Sequence, residues 1–123
     1  TVPLLNGLPT EVLDQLSECA KSVTFLAGDI VIGEGERGDA LYIITHGVAS
    51  VYKGNKEVAD LSDGDFFGEM ALLGDQVRTA TVKAKHPSTL LRLRRRDVMQ
   101  LAENNPQLKE RLEEVKASRE IVI

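Results

Sequence analysis

Apolar and polar positions follow two different periods along this chain, and the change comes near residue 22. Ahead of it, Val12, Leu13, Leu16, Cys19 and Ala20 recur at helical spacing and form one apolar face. The pattern predicts a loop over 4–9 and then a packing helix to Lys21, with Thr10 after Pro9 as its N-cap. From Ser22 the period shortens. Val23 to Leu26, Ile30 to Ile32, Leu41 to Ile44, Val48 to Tyr52 and Val58 to Leu61 are short β-branched or aromatic runs. Turn signals separate them at Gly28-Asp29, 33–39, His46-Gly47, Gly54-Asn55 and Asp63-Gly64-Asp65. Thr79 to Ala84 and Thr89 to Leu93 read as closing strands, with Pro87 in the turn between them. Many short strands at regular spacing predict an all-β sandwich or roll.

The helical period then returns. Asp97 opens a short helix over 98–103, which stops at Asn104-Asn105-Pro106, and Pro106 in turn opens a last helix from Gln107 to about Glu120. Leu108, Leu112 and Val115 make a narrow apolar stripe on it, with Arg111, Glu114, Ser118 and Arg119 alongside. At seven-residue steps Leu101, Leu108, Val115 and Val122 trace one coiled-coil position, but the companion positions Asn104, Arg111 and Ser118 are polar. A long dimer zipper is therefore poorly supported, and the stripe is expected to pack on the domain's own body. The expected organisation is a helical segment at 1–21, a β-roll at 22–94 and two C-terminal helices within 95–123.

The stretch 66–82, FFGEMALLGDQVRTATV, breaks both periods and carries the chemistry. Gly68 allows close backbone approach, Glu69 offers a carboxylate, and 70–73 form a short apolar helical turn with unpaired amides at its start. After the polar loop 74–76, Arg78 stands nine positions beyond Glu69 and can return across the loop with a fork suited to phosphate. Carboxylate, amides and arginine together suit a small phosphorylated sugar. The same residues also suit an ordinary surface turn closed by an ion pair.

Composition narrows the classes. A chain of 123 residues, 42% hydrophobic and 28% charged, makes one ordinary globular domain. The formal net charge of −4 argues against nucleic-acid binding. Arg92, Arg94, Arg95 and Arg96 form a basic cluster, but alternation with Leu91 and Leu93 places much of it on a solvated strand face or a partner contact. The lone Cys19 forms no internal disulfide and reads as a buried thiol in a reducing compartment. No apolar run is long enough for a membrane span, and no signal peptide is visible. A start at Thr1-Val2-Pro3 suggests a fragment of something longer. His46 and His86 are too few for a metal site, and a nearby Arg78 would hold Glu69 ionised and weakly basic. No catalytic arrangement emerges, and an enzyme is not expected.

The segment FGEMALLGDQVRTATV resembles the phosphate-binding cassette of the cyclic nucleotide-binding domain family, F-G-E-x-A-L followed by R-[TSA]-A-[TS]. GEGERGDALYIITHG is similar to the family's first-half pattern at Gly35, Gly38, Asp39, Leu41, Tyr42 and Gly47, where the glycines shape turns and do not touch ligand. The resemblance implies an antiparallel, jelly-roll-like β-roll with an N-terminal helix, a short cassette helix and two C-terminal helices. It implies cAMP or cGMP as ligand and no cofactor. Glu69 and the Gly68 backbone would take the ribose 2′-hydroxyl, and Arg78 would pair with the cyclic phosphate, assisted by the Ala71 and Thr79 amides, with Met70 in the same turn. A hydroxyl at Thr79 keeps a guanine contact open. Val58 and Leu61 would lie against the base, and Arg111, Leu112 and Val115 would form a lid hinged near Asn105-Pro106.

By the same resemblance, the single copy and the polar zipper positions lean towards the cytoplasmic sensor of an ion channel or transporter. The alternatives are a piece of a catabolite-activator-like transcription regulator and a roll that no longer binds ligand. The expected partners are a cyclic nucleotide and an attached or partner output domain. Direct nucleic-acid contact and membrane insertion are not expected, and any oligomer would form through the parent protein.

Overall fold

The computed structural model describes residues 7–68 and 77–118, the side chains of 115–118 excepted. The expected turn at 70–73, the loop at 74–76, the candidates Glu69, Met70 and Ala71, the Val115 side chain and Val122 lie outside the described residues.

Strand β3 (Ala40–His46) shows how the fold divides. Its first five residues are all buried, so the usual in-out alternation is lost. The cause is a covered face on each side. Ala40, Tyr42 and Ile44 join one apolar cluster, while Leu41 and Ile43 join another. Beside β3 lies β8 (Ser88–Arg94), then β1 (Lys21–Phe25), and on the other edge the two-residue β6 (Phe66–Phe67). All these pairings are antiparallel, with Leu41 opposite Leu93, Ile43 opposite Leu91 and Tyr42 opposite Phe67.

A second antiparallel sheet has the order β2 (Ile30–Ile32), β7 (Thr81–Ala84), β4 (Val48–Lys53) and β5 (Lys56–Ser62). Between the sheets lie Ile32, Tyr42, Ile44, Val51, Phe67, Val82 and Leu90, each at most 9% exposed. On the outer face of the first sheet sit α1 (Thr10–Cys19), α2 (Arg95–Asn104) and α3 (Pro106–Ser118). Val12 and Leu16 of α1, Val98 and Ala102 of α2, and Leu108 and Leu112 of α3 close over Leu41, Ile43, Phe66 and Leu93. Burying one such leucine contributes about 1.5–3 kcal/mol, so the three helices are held mainly by this face. The architecture is the mainly β roll with flanking helices that the patterning predicts.

Several boundaries shift for local reasons. Pro9 occupies the N-cap of α1, at φ −57° and ψ 147°, and no side chain caps the helix. The Pro9 carbonyl accepts from the amides of Val12 and Leu13, at 3.0 and 3.2 Å, which makes Thr10 the first helical residue. β1 stops at Phe25 and leaves Leu26 67% exposed, because Asp29 turns the chain by accepting from the Leu26 amide at 2.8 Å. α2 begins at Arg95, two residues ahead of Asp97, where the Arg95 amide donates to the Asp39 carbonyl. Among the described residues no helix is long and apolar enough to cross a membrane.

Candidate functional site

The site grows from the way residue 78 is fastened. Val77 forms an isolated antiparallel bridge with Arg37, the Arg78 amide donates to the Glu36 carbonyl at 2.8 Å, and the Arg78 carbonyl accepts from the Gly35 amide at 2.8 Å. The backbone is thus laced to the turn between β2 and β3, and this sends the side chain inward. Arg78 is 5% exposed. Its Nη2 donates to the Ala40 carbonyl at 2.9 Å and its Nη1 to the Gly68 carbonyl at 3.3 Å. A guanidinium keeps its charge when buried, so its position has to be supported by acceptors. Here β3 and the end of β6 supply them.

Two glycines make room for that side chain. Gly68 has φ +89°, where other residues are strained, and a Cβ there would lie 2.8 Å from the Ala40 carbonyl oxygen and 3.0 Å from Arg78 Nη1. At Gly38 an added Cβ would collide with the Arg78 guanidinium itself. The sequence reading gave Gly38 only a turn-shaping role. The structure adds a second one, as the gap through which Arg78 passes.

Arg78 borders a cleft of about 320 Å³ between the two sheets, whose walls include Ile32, Tyr42, Arg92 and Arg94, with Glu36, Arg37 and Asp39 also lining it. The placement of Arg92 corrects the expectation of a solvated strand face. β8 is an inner strand, with one face on the helices and the other on the second sheet. Leu90, in phase with Arg92 and Arg94, is fully buried between the sheets. Arg92 is half-buried in the cleft wall, and Arg94 is exposed at its rim.

The expected site residues are only partly brought together. Gly68 and Arg78 touch, and Thr79 follows on the surface. Val58 and Leu61 of β5 are half-buried against the inter-sheet cluster that holds Ala80 and Val82, with Leu61 opposite Ala49. The lid residues stand elsewhere. Leu112 is 2% exposed inside the helical cluster, on the far side of the first sheet from the cleft. Leu108 and Leu112 are both buried in that cluster with residues of α1 and α2, so in this arrangement Leu112 caps no part of the cleft. Arg111 is half-buried and pairs with Glu114 at 3.5 Å. Cys19 is half-buried, and burial first, then the Asp97 and Glu18 carboxylates, push its thiol pKa up, so it stays an unreactive thiol.

Sequence reasoning missed Ala40, which holds Arg78, and Tyr42 and Arg92, which wall the cleft. The phase of Arg92 with Leu90 was the one available signal.

The profile of the family described as "Cyclic nucleotide-binding domain" matches residues 22–105. The chain is 39% identical over 83 residues to the cAMP-dependent protein kinase regulatory subunit of Hypocrea atroviridis, covering 68% of this chain and 18% of that one. It is 41% identical over 85 residues to the regulatory subunit of Schizosaccharomyces pombe, covering 68% and 21%. It is also 40% identical over 90 residues to the cGMP-dependent protein kinase of Eimeria tenella, covering 67% and 9%. The chain thus spans about a fifth, or less, of the length of these relatives. The crystal structure of the Thermus thermophilus catabolite activator protein superposes with a TM-score of 0.84 at 30% identity, over 94% of this chain and 56% of that one. Profile, relatives and roll agree, and the chain belongs to the cyclic nucleotide-binding domain family.

Proposed function

We propose that this domain binds cAMP or cGMP as a regulatory sensor, with Arg78 pairing with the cyclic phosphate. The observation that carries the reading is the Arg78 side chain, buried and hydrogen-bonded to the carbonyls of Ala40 and Gly68. A cation pre-positioned from two strands meets a phosphate without the cost of ordering a long side chain. In this reading the Gly68 backbone and Glu69 take the ribose hydroxyl, and the Ala71 and Thr79 amides, with Met70 in the same turn, complete the phosphate contacts. Val58 and Leu61 face the base from the rim of the inter-sheet cluster.

Signalling runs through the junction of α2 and α3. Asn105 interrupts the helices at φ −135° and ψ 86°, and its Nδ2 donates to the Leu101 carbonyl at 2.9 Å and to Gln15 Oε1 of α1 at 3.4 Å. A rearrangement of α3 that brings Arg111, Leu112 or Val115 towards the base has to break the helical cluster around Leu112. Ligand can drive it only by its differential affinity for the two arrangements. The output we favour is a kinase-type partner, because the relatives named above include kinase regulatory subunits and a kinase. The channel or transporter expected from the sequence has no counterpart among those relatives, and the catabolite activator keeps a transcriptional output as the second reading. A cytoplasmic location goes with either output.

Isothermal titration with cAMP and with cGMP tests the binding. Arg78→Leu is expected to weaken it at least a hundredfold, consistent with the ~2–5 kcal/mol for truncating one partner of a buried charge pair. Unchanged affinity in that variant rules out Arg78 as the phosphate ligand. The ratio of the two affinities reports what the Thr79 hydroxyl contributes.

A further inference from the structure

The inter-sheet cleft carries more positive charge than one cyclic phosphate uses. Arg37, Arg78, Arg92 and Arg94 line it against Glu36 and Asp39, in a chain whose formal net charge is −4. A basic concavity on an acidic protein concentrates anions, because its low-dielectric walls focus the field. Among the described residues, Arg92 and Arg94 make no salt bridge.

Register places these two groups. Arg92 lies opposite Tyr42 and Arg94 opposite Ala40, so both leave the same face of β8 two residues apart, a rise of roughly 6–7 Å along the strand. That spacing suits two anionic groups joined by a short bridge better than one isolated oxyanion. Lys21, opposite Arg92 on β1, adds a third cation in an adjoining hollow that Arg92, Arg94 and Asp97 also line.

A second observation points into the same cleft. Tyr42 is 9% exposed, lines the cleft, and stacks on Phe67 with centroids 5.3 Å apart and planes 13° from parallel. Its hydroxyl makes no hydrogen bond among the described residues. The oxygen is not among the buried unsatisfied atoms, so the ring is packed away while the hydroxyl stays open to the cleft, able to donate to an anion there. The volume of about 320 Å³ sits at the small end of the range for ligand sites, about 300–1,000 Å³.

We propose that the Arg92–Arg94 wall of this cleft, beside Arg78 and its cyclic phosphate, is a second anion subsite, which takes a diphosphate group between Arg92, Arg94 and the Tyr42 hydroxyl. A free diphosphate and one carried by a nucleoside share this chemistry, and the probes distinguish the two. Inorganic pyrophosphate and ADP are titrated into the protein by calorimetry at constant ionic strength. Saturable binding of pyrophosphate is expected, with tighter binding of ADP if the natural source is a nucleotide. Arg92→Gln/Arg94→Gln is expected to weaken pyrophosphate at least tenfold and Tyr42→Phe severalfold. Lys53→Gln/Lys56→Gln, at the exposed β4–β5 turn, makes the same charge change and is expected to leave binding intact. If the double variant does not fold, Arg94→Gln alone serves, since Arg94 is exposed, and at least threefold weakening is expected.

No saturable heat with either probe overturns the proposal, as does an equal loss in the lysine control, which would mean diffuse attraction. Displacement of pyrophosphate by saturating cAMP, with Arg78→Leu abolishing both, also overturns it, because the anion would then only occupy the nucleotide's phosphate position. Pyrophosphate binding in a protein that binds neither cyclic nucleotide leaves this site standing and removes the nucleotide reading alone.

Discussion

Replacing Leu112 with alanine separates two roles that the sequence could not distinguish, a lid over a base and a piece of the helical core. Leu112 is 2% exposed and shares its cluster with Leu8, Val12, Leu16, Val98, Ala102 and Leu108. Truncation removes three buried carbons, worth ~2.4 kcal/mol at ~0.8 kcal/mol each, before any cavity term. Helix packing of this kind relaxes only partly, so the full cost falls at about 2–5 kcal/mol. With an unfolding entropy of about 2.1 cal/mol/K per residue, a loss of ~3 kcal/mol lowers the Tm of a domain this size by roughly 10 °C. Circular dichroism melts give that number. Calorimetric titration of the variant with cAMP, well below its Tm, gives the other. We expect the large drop in Tm with no more than about a threefold loss of nucleotide affinity, under ~0.7 kcal/mol, since a weakened cluster can only ease the rearrangement of α3. A Tm within about 2 °C of the parent, combined with a tenfold or larger loss of affinity, would refute the core assignment and restore the lid.

The other perturbations act on single contacts. Gly38→Ala places a methyl group against the Arg78 guanidinium, so the arginine must shift; we expect cyclic-nucleotide affinity to fall at least tenfold, measured by titration, with a smaller effect on Tm than Leu112→Ala. Asp60 accepts from Lys85 Nζ at 3.0 Å, and hydrogen bonds from Lys85 first and Ser50 next hold its carboxyl below the ordinary Asp value of 3.8. A folded pKa below the unfolded one gives stability that is present above about pH 4 and lost as pH falls through the folded value. The Lys85 ammonium, raised by the same hydrogen bond, contributes below 10.5 and loses its share as pH rises past that. Both groups are solvent-exposed, so the effect is small and salt-screened. Asp60→Asn is therefore expected to flatten the acid limb of a urea-midpoint profile slightly, and a steeper limb in the variant would contradict the sign.

The order of helix and strand, the roll, and the segment that brings Gly68 and Arg78 to one place were all legible in the residues. Period, turn chemistry and the Glu69 to Arg78 spacing are local properties, and local properties survive translation into sequence. Thr10 shows the limit even at short range, since either Pro9 or Thr10 satisfies the same pattern and the carbonyl of Pro9 decides it. What the pattern could not carry is which element covers a given face. Alternation marks Arg92 and Arg94 as facing away from Leu91 and Leu93, but only the packing of a second sheet turns that face into a cleft wall. The stripe on α3 marks Leu112 as apolar, yet a core and a lid need the same residue, and its burial against α1 and α2 assigns it. Gly38 and Ala40 lie about forty positions from Arg78 and meet it only because the turn ahead of β3, and β3 itself, pack against residues 77–78. Such contacts join residues distant in sequence, so no local pattern records them, and the tertiary structure alone decides them.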